Sequence, residues 1–289
     1  MINKIILGTV QMGIPYGINN KYGQILPNDS IEILNTAFIE GIRTLDTAEG
    51  YGSAHKIIGD YHASNSKAIF KIITKIPPIE NLDKIENKVN LYLNTLKVTQ
   101  LEGLLFHTFQ SYIKHKKRIS KLVKLKEEGL IKELGVSIYS NEELNELLDD
   151  EDITLIQLPF NLLDNLSFRG ELLQKAKIKG KTINTRSVFL QGLFFKDPFE
   201  NNPIVIALNR ELLKIQEISN KYKISISALA ISYCLNQSII DQVIIGVDSV
   251  KQLKNNIEYC KFQINDEIIE QINKIKISDI NLINPSKWN

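Results

Sequence analysis

The 289-residue sequence predicts an α/β chain of the (β/α)8 TIM-barrel class, and two observations carry that expectation. Short apolar runs alternate with longer stretches in which apolar residues recur every third or fourth position, the pattern of parallel strands joined by crossover helices. Eight such strand-helix units can be drawn, which argues for a closed barrel over an open sheet. A doubly wound sheet would want a glycine-rich turn after its first strand, but Gly13-Ile14-Pro15-Tyr16-Gly17 lacks the G-x-G-x-x-G spacing.

In chain order the strands are expected at 4–9, 42–46, 68–75, 101–107, 133–137, 154–158, 182–186 and 242–246. The first helix, 30–40, sets Ile31, Leu34 and Phe38 on one face, with Asp29 or Ser30 as its cap. Helix 85–96 does the same with Val89, Leu93 and Leu96. Helices 119–126, 142–148 and 172–179 follow, then 204–222 and 226–235 in the seventh connection and 250–259 after the eighth strand. A last helix, 266–276, precedes a polar tail, 277–289, that holds the only tryptophan, Trp288. No linker, low-complexity segment or further repeat marks a boundary, so 1–289 is read as one domain.

With 43% hydrophobic and 24% charged residues the chain can bury a full core, and a net charge of +2 gives no global field toward nucleic acid or a membrane surface. Neither a signal peptide nor an apolar run near the roughly 20 residues of a spanning helix is present. The expectation is a cytoplasmic protein with no nucleic-acid or membrane partner, its oligomeric state left open. Cys234 and Cys260 sit in apolar helical stretches and read as buried thiols.

The chemistry gathers around Gly41-Ile42-Arg43-Thr44-Leu45-Asp46-Thr47-Ala48-Glu49-Gly50-Tyr51-Gly52. A strand-end carboxylate, Asp46, is followed five positions later by a phenol, Tyr51, in a turn bracketed by Gly50 and Gly52. The third and fourth strands end on Lys75 and His107. Each residue alone has a plain structural reading: a turn cap, a loop aromatic, a solvated strand exit, a core histidine. Side chains at the C-terminal ends of barrel strands share one rim, so the four converge.

The stretch Asp-Thr-Ala-x-x-Tyr-Gly resembles the signature of the aldo-keto reductases, and the resemblance extends over nearly the whole chain. It implies reduction of an aldehyde or ketone, sugars included, by hydride from a nicotinamide cofactor. Tyr51 would be the proton donor, Lys75 with Asp46 its tuner, and His107 the group directing the carbonyl. A free tyrosine with a pKa of about 10 is a reluctant acid, and an adjacent ammonium would ease its proton release.

Cofactor contacts are implied at Gly8 and Thr9, at Asp46, at Ser137 and Gln157 on the nicotinamide amide, at Arg186 on the ring face, and at Ser187. Leu190, Gly192 and Leu193 would form the pyrophosphate loop. Gly246, Ser249, Gln252 and Asn256 would meet the adenosine side, where a helix start can face phosphate. Two departures from the family pattern stand out: Ile138 follows Ser137 where asparagine is common, and Gln252 with Asp248 stands where basic residues are common. Lys251 and Lys254 remain nearby, and the resulting expectation is NADP(H), with NAD(H) as the alternative.

Lys114-His115-Lys116-Lys117-Arg118 reads as a solvated face, and Asp149-Asp150-Glu151-Asp152 lacks the spacing of a calcium loop. The four histidines, His55, His62, His107 and His115, form no ligand cluster, so no metal is expected. The usual hydrolase elbow and P-loop are absent from the sequence. Tyr16, Phe109, Phe189 and Trp288 are candidate aromatics around the mouth, and loss of residues 286–289 would be expected to alter substrate choice more than cofactor affinity. Two rival readings use the same residues: a Schiff-base lyase with Lys75 as nucleophile, and a non-catalytic nicotinamide-binding subunit that senses redox state.

Overall fold

The computed structural model describes residues 1–20 and 22–288. Eight parallel strands, β1 (Ile5–Gly8), β2 (Thr44–Asp46), β3 (Lys71–Ile76), β4 (Leu101–Phe106), β5 (Ile131–Ser137), β6 (Leu155–Pro159), β7 (Thr182–Arg186) and β8 (Gln242–Ile245), pair in sequence order. The ring closes where β1 pairs with β8 through Ile6 and Ile244. The expected (β/α)8 barrel is therefore the observed fold.

The helices are α1 (Val10–Gly13), α2 (Pro27–Ile39), α3 (Ala54–Ser64), α4 (Ile85–Leu96), α5 (Phe109–His115), α6 (Ser120–Glu127), α7 (Asn141–Leu147), α8 (Leu166–Ile178), α9 (Pro203–Ala207), α10 (Asn209–Tyr222), α11 (Ile226–Leu235), α12 (Val250–Tyr259) and α13 (Asp266–Asn273). Three expected helices begin or divide elsewhere than the sequence suggests. Helix α2 starts at Pro27, whose fixed φ suits a first helical position, so neither Asp29 nor Ser30 is its cap. Helix α8 begins six residues earlier than its apolar period suggested, because the Asn165 side chain accepts from Ser167 N and caps it there. The expected helix 204–222 is two, α9 and α10, meeting at Leu208.

Helix α3 has no counterpart in the sequence reading. Gly59 in its middle lowers helix propensity, yet a Cβ there would lie 1.8 Å from the Thr95 carbonyl oxygen, so glycine is what lets α3 lie directly on α4. Ile57, Ile58 and Tyr61 then bury their side chains in the core.

Inside the barrel, Ile6, Ile73, Leu105, Leu155 and Ile244 form a buried apolar cluster separate from the main core between strands and helices. Each such side chain contributes about 1.5–3 kcal/mol on burial. Side chains two residues apart along a strand share a face. The next positions on those five strands are Gly8, Lys75, His107, Gln157 and Gly246, so this plug is the floor on which the polar groups stand. No helix among the described residues is long and apolar enough to cross a membrane. Cys234 and Cys260 are buried and unpaired.

Candidate active site

The four predicted rim residues come together. Lys75 is 1% exposed, and its Nζ donates to Asp46 Oδ2 at 2.6 Å, to the Thr47 carbonyl at 3.2 Å and to Tyr51 Oη at 3.4 Å. The His107 ring stands edge-on to Tyr51, with centroids 5.9 Å apart. No described residue hydrogen-bonds the His107 ring nitrogens. On the far side of the carboxylate, Gln157 Nε2 donates to Asp46 Oδ1 at 2.7 Å. Thr9 Oγ1 donates to the Asp46 carbonyl at 3.0 Å, tying β1 to β2 at the same point.

The turn that carries Tyr51 is pinned from two sides. A Cβ on Gly13 would lie 1.6 Å from the Tyr51 carbonyl oxygen, so α1 can press against this turn only with glycine there. Behind it, Glu49 accepts from Lys88 Nζ at 2.6 Å and from the Tyr92 hydroxyl, both on α4. The His55 ring packs edge-on against Tyr92 and its Nε2 meets Thr74 Oγ1 at 2.9 Å. Burial opposes ionisation of Glu49, but the Lys88 and Tyr92 hydrogen bonds hold it below the usual carboxylate range. This bracing group was not singled out from the sequence, since Glu49, Lys88 and Tyr92 carry no motif of their own.

Electrostatics divide the cluster. Burial first, then the Asp46 charge, raise the Tyr51 phenol, and Arg186 offsets this only in part. Burial and Asp46 together keep the phenol protonated. Burial also pulls the Lys75 ammonium below the usual lysine range, against the stabilising Asp46 contact. His107 is lowered to about 4 by burial and then by the Lys75 charge, so its ring is neutral at pH 7.

A cavity of about 550 Å³ opens from this cluster. Gly8, Thr9, Asp46, Tyr51, Arg186, Ser187, Gly192, Gly246, Ser249, Gln252 and Asn256 border it, as do Tyr16 and Phe189. Arg186 is held with its guanidinium 4.2 Å from the Tyr139 ring centroid and donates to the Ile138 carbonyl at 3.2 Å. Residues 187 and 190–192 all adopt positive φ, and Ile18 N donates to the Gln191 carbonyl at 3.1 Å, so this loop meets the one after β1.

Other predicted positions fall elsewhere. Ser137 borders a second cavity of about 490 Å³ that is edged by Ile280, Asn284 and Ser286 of the tail. Leu190 and Leu193 are 0% exposed and belong to the apolar core, so their side chains do not reach the first cavity. Phe109 is buried beside the second cavity, and Trp288 donates from Nε1 to the Leu282 carbonyl at 3.0 Å. Asn289, the end of the tail, lies outside the described residues. Lys114, Lys116 and Arg118 pair with Glu80, Asp150 and Asp83, so the basic cluster is a solvated, charge-paired face.

Three buried acceptors at or beside the first cavity have no described partner: Gln11 Oε1, Gln157 Oε1 and Asp248 Oδ1. Gln11 was not anticipated from sequence, where a lone glutamine after a strand is uninformative. Unpaired buried acceptors are costly, and their arrangement fits a ligand rich in N-H and O-H donors. A dinucleotide's carboxamide and ribose hydroxyls are such donors.

Comparison with known proteins identifies the family. The model of the aldo/keto reductase family matches residues 4–277. The chain is 24% identical over 264 residues to an NADH-specific methylglyoxal reductase of Escherichia coli strain K12, covering 78% of this chain and 81% of that protein. It is 24% identical over 250 residues to a D-arabinose 1-dehydrogenase of Saccharomyces cerevisiae, covering 77% and 74% of the two. Among solved structures, the holo form of aldo-keto reductase AKR11C1 from Bacillus halodurans shares the fold, with a TM-score of 0.77, 20% identity and coverage of 96% and 93%. The chain belongs to the aldo/keto reductase family of oxidoreductases.

Proposed function

We propose that the chain reduces a small aldehyde or ketone to its alcohol with a nicotinamide dinucleotide held in the 550 Å³ cavity. The observation that carries this reading is the single chain of contacts from Asp46 through Lys75 to the Tyr51 hydroxyl at the cavity wall. When bound, the cofactor supplies the hydride, which adds to the carbonyl carbon as the nicotinamide is oxidised. The carbonyl oxygen gains negative charge as that bond forms, and Tyr51 delivers its proton there, breaking its own O-H bond. The phenolate left behind is stabilised by the Lys75 ammonium 3.4 Å away, a contact that strengthens once the proton has gone. His107, neutral and unpartnered in the protein, can donate from one ring nitrogen to the same oxygen and fix its direction.

Asp46 holds Lys75 in place, and Gln157 holds Asp46. Gln157 is 0% exposed and does not border the cavity, so its part is to hold Asp46 rather than to meet the nicotinamide amide. Gly8, Thr9, Arg186, Ser187, Gly192, Gly246, Ser249, Gln252 and Asn256 border the space where the rest of the dinucleotide would lie.

The lyase alternative fits less well. All three Lys75 donors face oxygen acceptors and the side chain is 1% exposed, leaving no lone pair for attack. A purely sensing role leaves unexplained why Tyr51 faces the open cavity. Following absorbance of the reduced nicotinamide against small aldehydes and sugars, the classes named for the relatives above, tests the reading. Turnover that is lost in Y51F while nucleotide binding persists is the expected result; undiminished turnover in that variant rejects it.

A further inference from the structure

The cavity has one feature that the hydride chemistry does not use. Asp248, two residues beyond the strand-end Gly246, borders the cavity on the side where Ser249, Gln252 and Asn256 open helix α12. On the proposed reading, with hydride transfer at Tyr51, that side is the one left for the adenosine half of the nucleotide. The Asp248 backbone N-H donates to Gln252 Oε1 at 2.8 Å, and Gln252 Nε2 reaches Asp248 Oδ2 at 3.5 Å, so the glutamine holds the carboxylate in place. The other oxygen, Oδ1, is buried and has no described partner.

Among the described residues, no cation that borders the cavity pairs with this carboxylate. Among the described lining residues Arg186 is the only cation, and its guanidinium is committed to Tyr139 and the Ile138 carbonyl. Lys251 and Lys254 are exposed on α12 and do not border the cavity. Burial lifts the Asp248 carboxyl above the usual aspartate range while Gln252 pulls it down, as expected for a carboxylate with no counter-ion.

We propose that Asp248, the carboxylate bordering this side of the cavity, selects NADH over NADPH, accepting hydrogen bonds from the adenosine ribose hydroxyls and repelling a 2′-phosphate. The inference rests on the reading of this cavity as the nicotinamide dinucleotide site. It reverses the NADP(H) expectation drawn from resemblance. A diol offers two O-H donors to a carboxylate that no described cation pairs. A 2′-phosphate instead brings about −1.5 to −2 charges toward an anion fixed by Gln252.

Direct titration of the purified protein with NADH and with NADPH, by calorimetry or tryptophan quenching, is the test. NADH is expected to bind at least about tenfold more tightly at low salt, with the gap narrowing as ionic strength rises. D248N, equal in volume and without charge, should tighten NADPH binding about tenfold and weaken NADH binding several-fold, and D248R should invert the preference. Binding of both nucleotides with NADPH equal or favoured, or an unchanged ratio in D248N, overturns this inference and leaves the proposed activity standing. Binding of neither nucleotide overturns both.

Discussion

Gln157 Nε2 lies 2.7 Å from Asp46 Oδ1, a hydrogen bond between β6 and β2 on opposite sides of the ring that spans the barrel mouth. With Lys75 on the other oxygen, the Asp46 carboxylate is held at both ends inside a nearly dry site. Removing one partner should therefore cost more than removing the pair. K75M should destabilise the fold by about 3–5 kcal/mol because a bare carboxylate stays buried, and D46L/K75M should recover a large part of that. Q157L should cost about 1–3 kcal/mol. Urea unfolding of the three variants measures this, and equal losses for K75M and the double variant would contradict it.

Tyr51 is the one phenol that both touches Lys75 and borders the cavity. Y51F should lower kcat for carbonyl reduction by about 10²–10⁴-fold, the usual contribution of a positioned acid, with the nucleotide Kd within about twofold of wild type. Steady-state kinetics and a binding titration on the same preparation separate the two effects.

Glu49 braces the Tyr51 turn against α4 through Lys88 and Tyr92 without facing the cavity itself. Y92F removes one of these contacts and should lower kcat about tenfold or less at nearly constant KM, as expected for misplacement of a catalytic group. E49Q retains the shape and loses the charge, so its kcat should fall further than that of Y92F. A change confined to KM in either variant would assign the group to substrate binding instead.

His55 and His107 are both lowered to about 4, in each case first by burial. A histidine whose folded pKa lies below its unfolded value of about 6.5 binds fewer protons when folded, so its stabilising contribution is complete above pH 6.5 and is lost as pH falls toward 4. Across that window each should cost on the order of 1 kcal/mol per pH unit. Thermal unfolding of wild type should show Tm falling from pH 6.5 to 4.5, and H55N should flatten the slope. A Tm independent of pH over that range would contradict the assignment.

The tail residues Ile280, Asn284 and Ser286 edge the 490 Å³ cavity beside Ser137 and Tyr139, away from Gly246 and Asn256. Removing residues 286–289 should raise KM for the larger carbonyl substrates several-fold and leave the nucleotide Kd unchanged. Unchanged constants for every substrate would show that the tail only covers the barrel.

The strand pattern and the four residues that meet at the rim were both legible in the sequence, because each depends on local chemistry. A strand buried on both faces must be a continuous apolar run, and Asp46, Lys75 and His107 mark where three such runs stop. Helix α3 was not legible, since Gly59 weakens helix formation locally and is explained only by the Thr95 carbonyl of another helix. Leu190 and Leu193 were drawn to the cofactor loop by their position in the chain, yet the left-handed turn there sends both side chains into the core.

What the sequence determined by itself is the alternation that closes the barrel and the residue types available at its rim. What the tertiary structure decided is which of those residues meet: Gln157 with Asp46 over 111 positions, Glu49 with Tyr92 over 43, and Asp248 with Gln252 but no cation among the described residues that line its cavity. The physical reason is range. Strand and helix periods are written in neighbouring residues, whereas the ionisation and partnering of a buried polar group depend on what lies within a few ångströms, which only ring closure brings there.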